Sequence, residues 1–132
     1  MPVGDELGPR RRSAPLAEQI AAYVGAGSAS DFADLALAVG RPGMVVPGPM
    51  LAAFLEHFLR AELSGWRLEH LSTTFRVPSI AGEALSIRGA VTEHHEQRDR
   101  ERIVCDLIIE HVDGQPAVTG TATLWRARPK DV

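Results

Sequence analysis

One stretch limits what this chain can fold into more than any other: VVPGPMLAAFLEHFLRAEL, from Val45 to Leu63. Pro49 stands just after Gly48, at the place of a first helical residue. Its fixed φ suits that position, and its missing N–H is no loss there. Met50 to Leu55 is apolar throughout, and polar side chains enter only at Glu56, His57, Arg60 and Glu62. A helix that is apolar nearly all round in its first half belongs inside a fold rather than on it. The glycine before it leaves bare backbone at the helix's positive end, where free N–H groups can hold a carbonyl oxygen or an anion.

Ahead of this stretch, MPVGDELGPRRRS reads as an entry segment with at most a short strand. Ala14 to Tyr23 has helical spacing through Leu16, Ile20 and Tyr23, with Pro15 in its first turn. Asp31 is placed to cap a second short helix, DFADLALAV, which Gly40 ends. Arg41-Pro-Gly then turns the chain toward the central helix.

After Gly65 the pattern changes to period two. WRLEHLSTTFRV is extended up to Pro78, and a turn at Ala81-Gly82-Glu83 precedes a long strand carrying Leu85, Ile87 and Val91 on one side. RERIVCDLIIEHV follows, then the hairpin signal Asp113-Gly114. In the last strand Thr119, Thr121 and Thr123 alternate against Val118, Ala122 and Leu124. Short helices, one buried helix at about 49–63 and about four long antiparallel strands describe an α+β domain, its sheet wrapped round the helix. No repeat or linker divides residues 1–132, so one domain is expected.

Bulk properties exclude more than they assign. A net charge of −3 with no basic stripe argues against nucleic acid. The single Cys105 precludes an intramolecular disulfide, gives no metal constellation, and in IVCDLII reads as a small apolar filler. No signal peptide and no apolar run long enough to span a membrane is present, which makes the cytoplasm the default location.

Taken in order, VGDEL at Val3–Leu7, RPGMVVPGPML at Arg41–Leu51, FRVPSIAGEALSIRGAVTE and DGQPAVTGTATL resemble the MaoC-type hotdog proteins, the (R)-specific enoyl-CoA hydratases and dehydratases. The resemblance implies an antiparallel sheet around a central helix, an acyl thioester carried on CoA or acyl carrier protein as substrate, and no cofactor or metal. It also implies sheets paired edge to edge with a second hotdog unit, in a homodimer or a heteromer. Gly48 corresponds to the glycine whose N–H polarises the thioester carbonyl, and Pro47, Met50 and Phe54 are implied to line the substrate pocket. The family's acid–base pair is an Asp and a His five residues apart. Here Asp31 matches the Asp, but Ala36 stands where the His belongs, in a loop shorter than the family's.

The implied protein therefore keeps its carbonyl-holding half and lacks its proton-moving half. The leading reading is a catalytically degenerate subunit that binds an acyl thioester, of bulky acyl group if the short loop opens the pocket, beside an active sister. A second reading is a hotdog thioesterase in which Glu56, eight residues after Gly48, acts as base on a buried helix. The plainer role for Glu56 is a helix contact with Arg60. A third reading is a ligand-binding or assembly module without catalysis. His57, His70, His94, His95 and His111 read as surface or strand-face side chains; Arg76, Arg88 and Arg10 to Arg12 are phosphate candidates by charge alone.

Overall fold

The computed structural model describes residues 2–24 and 45–128. Five strands run through them: β1 (Glu6–Ser13), β2 (Arg67–Phe75), β3 (Ala84–Glu96), β4 (Arg100–His111) and β5 (Pro116–Ala127). Two helices are described, α1 (Ala17–Val24) and α2 (Gly48–Glu62). The strands form one antiparallel sheet in the order β1-β3-β4-β5-β2, leaving β1 and β2 as its edges.

Alternation of apolar and polar residues drives the sheet. In β4 every second residue from Glu101 to His111 is buried, while Asp106 on the other face is exposed; Ile103, Cys105, Leu107 and Ile109 belong to the core that includes α2. The hairpin expected at Asp113-Gly114 joins β4 to β5, and Gly114 takes φ +86°, a conformation a side chain would resist. Against this sheet lies α2, burying Leu51, Phe54, Leu55, Phe58 and Leu59. That i, i+3, i+4, i+7, i+8 spacing is one stripe of an α-helix, and each such side chain contributes on the order of 2 kcal/mol by leaving water.

Three expectations change. The central helix is not swallowed: Pro49, Glu56, His57 and Arg60 are exposed and Met50, Ala52 and Ala53 half-buried, because the sheet covers a single face of it. The entry segment is a full edge strand. Its Pro9 sits at a bulge between Leu7 and Arg10, where no ladder bond is needed, and edge position tolerates the three arginines. Finally, α1 starts at Ala17 rather than Ala14, since Ala14 N–H donates to the Glu83 carbonyl (2.7 Å) and Gly82 N–H to the Pro15 carbonyl (3.0 Å). Those bonds hold both residues extended beside β3, and Leu16 is left exposed. The expected helix at Asp31 and the turn at Arg41 lie outside the described residues.

Candidate functional site

Where α2 begins, sequence and sheet curvature make a small opening. Pro47 precedes the helix with φ −58° and ψ 138°, and no side chain caps the end. Pro49 has no N–H, and Met50 N–H donates to the Pro47 carbonyl at 3.1 Å. Among the described residues the donor of this first turn without an acceptor is therefore the N–H of Gly48, at the positive end of a 15-residue helix. Beside it lies a cavity of about 220 Å³, lined on the helix side by Val45 to Gly48 and Leu51. Its other wall is the run Phe75 to Ser79 with Ala117.

That second wall is held from behind. Val46 N–H donates to the Ser79 carbonyl at 2.8 Å, and Val45 pairs with Ile80 as an isolated bridge. Buried His111 donates through Nε2 to the Val77 carbonyl (3.1 Å), while its Nδ1 meets Glu83 Oε2 at 2.5 Å. The other Glu83 oxygen accepts the Ile80 N–H at 2.9 Å. Phe75 closes the outer side, its ring resting against Gly48 although half of the residue is exposed.

Of the residues expected at a site, Gly48 and Pro47 line this cavity; Met50 and Phe54 do not. Met50 is half-buried against the core. Phe54, one helical turn beyond Leu51, is a core side chain capped by the Arg12 guanidinium 3.7 Å from its ring centre. Asp31 and Ala36 lie outside the described residues. Glu56 is exposed, so the burial invoked for it is absent; it lines a shallow groove between α2 and β2 with Glu69 and His70. Sequence reasoning missed Phe75 and Ser79, which sit at a strand end and in a loop, without periodic signal.

No histidine among the described residues lines the Gly48 cavity. His57, His70 and His95 are exposed, and His111 has both ring nitrogens engaged behind the wall. His94 bonds Glu101 at 2.9 Å. His94, Glu96 and Glu101 are near enough to share a metal, but Arg126 also pairs with Glu101, and Arg128 stands 3.5 Å from Glu96. With a guanidinium on each carboxylate, the group is an ion-pair network joining the ends of β3, β4 and β5. Hydrogen bonds from His94 and Arg126 hold the Glu101 carboxyl below its ordinary range, against its burial. Cys105 is fully buried, and desolvation, with Asp106 adding to it, pushes its thiol up to about 11.

Among the phosphate candidates, Arg10 pairs with Glu62 (2.7 Å) and Arg88 with Glu110 (2.5 Å). Arg12 is stacked on Phe54. Arg76 is exposed at the cavity's edge and makes no ion pair among the described residues.

A single antiparallel sheet of this strand order, laid round one long helix with an opening at the helix's first turn, defines a hotdog fold. The solved structures that resemble it agree. The (R)-hydratase from A. caviae involved in PHA biosynthesis is 26% identical, with TM-score 0.73, over 94% of this chain and 96% of that one. The MaoC-like dehydratase from Rhodospirillum rubrum is 19% identical, with TM-score 0.76, over 99% and 96%. The ChsH1-ChsH2 complex from Mycobacterium tuberculosis provides a chain 17% identical, with TM-score 0.76, over 97% and 99%. No protein-family model matches the sequence, and no curated protein matches it by sequence. The chain has the hotdog fold of MaoC-like dehydratases and (R)-hydratases, as the ordered motifs had implied. No helix among the described residues is long and apolar enough to cross a membrane.

Proposed function

We propose that this chain is a MaoC-like hydratase-family subunit that binds an acyl thioester at the opening of α2 and leaves proton transfer to a sister subunit. The observation that carries the reading is the lining of the Gly48 cavity: a free helix-terminal N–H, apolar walls, and no carboxylate or imidazole among the described residues. A donor fixed where a thioester oxygen gains charge is the electrostatic half of hydration chemistry. The other half needs an acid–base group within reach of one water, and Ala36 stands in place of the histidine. Arg76 at the cavity's edge is suited to a phosphate of the carrier. The described walls hold only a short acyl segment, so a bulky group would extend past the mouth.

A sister subunit has an edge to dock on. β1 is blunted by Pro9, its bulge and Arg10 to Arg12; β2, the other edge, has one irregularity between Leu68 and His70 and lacks proline and the arginine run. The similarity to a chain of a two-component complex supports a heteromer.

The test is native mass measurement of the complex, followed by hydration assays with a trans-2-enoyl-CoA. Turnover is expected only when a sister carrying Asp and His is present; enzyme-like turnover by this chain alone would overturn the reading. The thioesterase alternative keeps one observation in its favour, the groove shared by Glu56 and His70. Release of free thiol from acyl-CoA, abolished in Glu56→Gln, would establish it. A pure assembly module expects a pocket filled by side chains, and the open cavity counts against that.

A further inference from the structure

The wall facing Gly48 carries a polar group that the fold leaves unused. Ser79 is 1% exposed, and its hydroxyl has no hydrogen-bond partner among the described residues. Buried polar side chains are nearly always paired, so an orphan calls for a reason. Looseness is not the reason, because the residue is fixed on every side. Its carbonyl accepts from Val46, Ile80 next to it bridges Val45 and donates to Glu83, and the Val77 carbonyl two residues back accepts from His111. Nor does volume demand it, since alanine would fit the same space without leaving a hydroxyl unpaired.

Ser79 and Gly48 line one cavity. The helix-end N–H and the Ser79 hydroxyl, neither with a partner among the described residues, belong to two residues of one lining whose other side chains are apolar apart from Arg76 at its edge. That combination orients ligands whose bulk is hydrocarbon and whose polarity sits at one point. At roughly 30 Å³ for each water-sized group, the cavity of about 220 Å³ takes about seven of them. A short acyl chain with its carbonyl fits that size.

We infer that Ser79 is a ligand-binding residue: its hydroxyl donates to the carbonyl oxygen of a short acyl thioester, opposite the Gly48 N–H. The inference rests on the acyl-thioester reading above and adds a second donor and a size limit to it. Gly48 supplies a donor through the backbone, which of the natural residues only proline would remove; Ser79 supplies one through a side chain, which alanine removes.

The test uses the full chain and two probes, butyryl-CoA and S-butyl-CoA, a thioether without the carbonyl. Calorimetric titration compares wild type with Ser79→Ala, and thermal unfolding is followed for both without ligand. The expected result is about fivefold weaker butyryl-CoA binding by Ser79→Ala, unchanged S-butyl-CoA binding, and a melting temperature no lower than wild type. Equal butyryl-CoA binding by the two proteins would overturn the inference and leave the acyl-thioester reading standing. Equal weakening toward both probes would overturn it as a packing effect, and a lowered melting temperature would make the hydroxyl structural. Failure of the wild type to bind butyryl-CoA would overturn the acyl-thioester reading, and the inference with it.

Discussion

The ring of Phe75 rests on the α-carbon of Gly48 so closely that a β-carbon there would lie 2.7 Å from Cζ and 2.8 Å from Cε2. The glycine thus has two reasons to be one: it presents a bare N–H, and it makes room for an aromatic side chain arriving from the end of β2.

Gly48→Ala is accordingly expected to displace the Phe75 ring, at a cost of about 1 kcal/mol because a half-exposed ring can swing outward. In a Phe75→Ala background the same change should cost little. Urea denaturation of the two single variants and the double variant measures this coupling. Additive effects would mean that the two residues do not share the space.

Removing the His111 side chain should loosen the wall behind the cavity. His111→Ala removes the Val77 carbonyl's side-chain donor and one of Glu83's partners, and about 2–3 kcal/mol of stability should be lost in urea. Hydrogen exchange should then speed up at the Val46 amide, whose bond to Ser79 depends on that wall. Unchanged exchange there would separate His111 from the cavity.

Acid should weaken the far end of the sheet through Glu101. Its folded carboxyl lies below the ordinary value of 4.5, owing first to His94 and then to Arg126. The resulting stability is present above the unfolded value and disappears as pH falls through the folded one. Glu101→Gln should be less stable than wild type at neutral pH, and the gap should close in acid. A parallel decline of both proteins between pH 6 and pH 2 would show that this carboxylate has no part in it.

Cys105 should behave as core rather than as a reactive thiol. With its thiol raised to about 11 and no exposure, it should resist Ellman's reagent at pH 8 in the native protein and react once in denaturant. A thiol harder to ionise folded than unfolded favours the fold at low pH. That contribution is lost as pH rises toward about 11, so Cys105→Ala should flatten the alkaline limb of a stability curve.

The elements that sequence reading located well are those with strong periodic signals. α2 was legible from its apolar run and the Gly-Pro at its start, and β3 to β5 from alternation and the Asp113-Gly114 turn. β1 was understated because Pro9 and three arginines oppose a strand everywhere except at an edge, and edge position is a property of the whole sheet. Gly48 and Pro47, both expected at a site, line the cavity because the helix end itself makes the opening. Met50 and Phe54, which the resemblance implies as pocket residues, do not line this cavity, since helical rotation turns Phe54 into the core beneath Arg12. Phe75 and Ser79 reach the cavity only through the pairing of β2 with β5 and the bond from Val46, long-range contacts that leave no local mark.

The described lining of the cavity carries no carboxylate, imidazole or thiol, and its charged side chain is the guanidinium of Arg76. Ligand capture by these walls should therefore be indifferent to acidity across the neutral range. A bell-shaped rate profile measured on an assembled enzyme would then act as a label of ownership, its two limbs belonging to groups outside this lining.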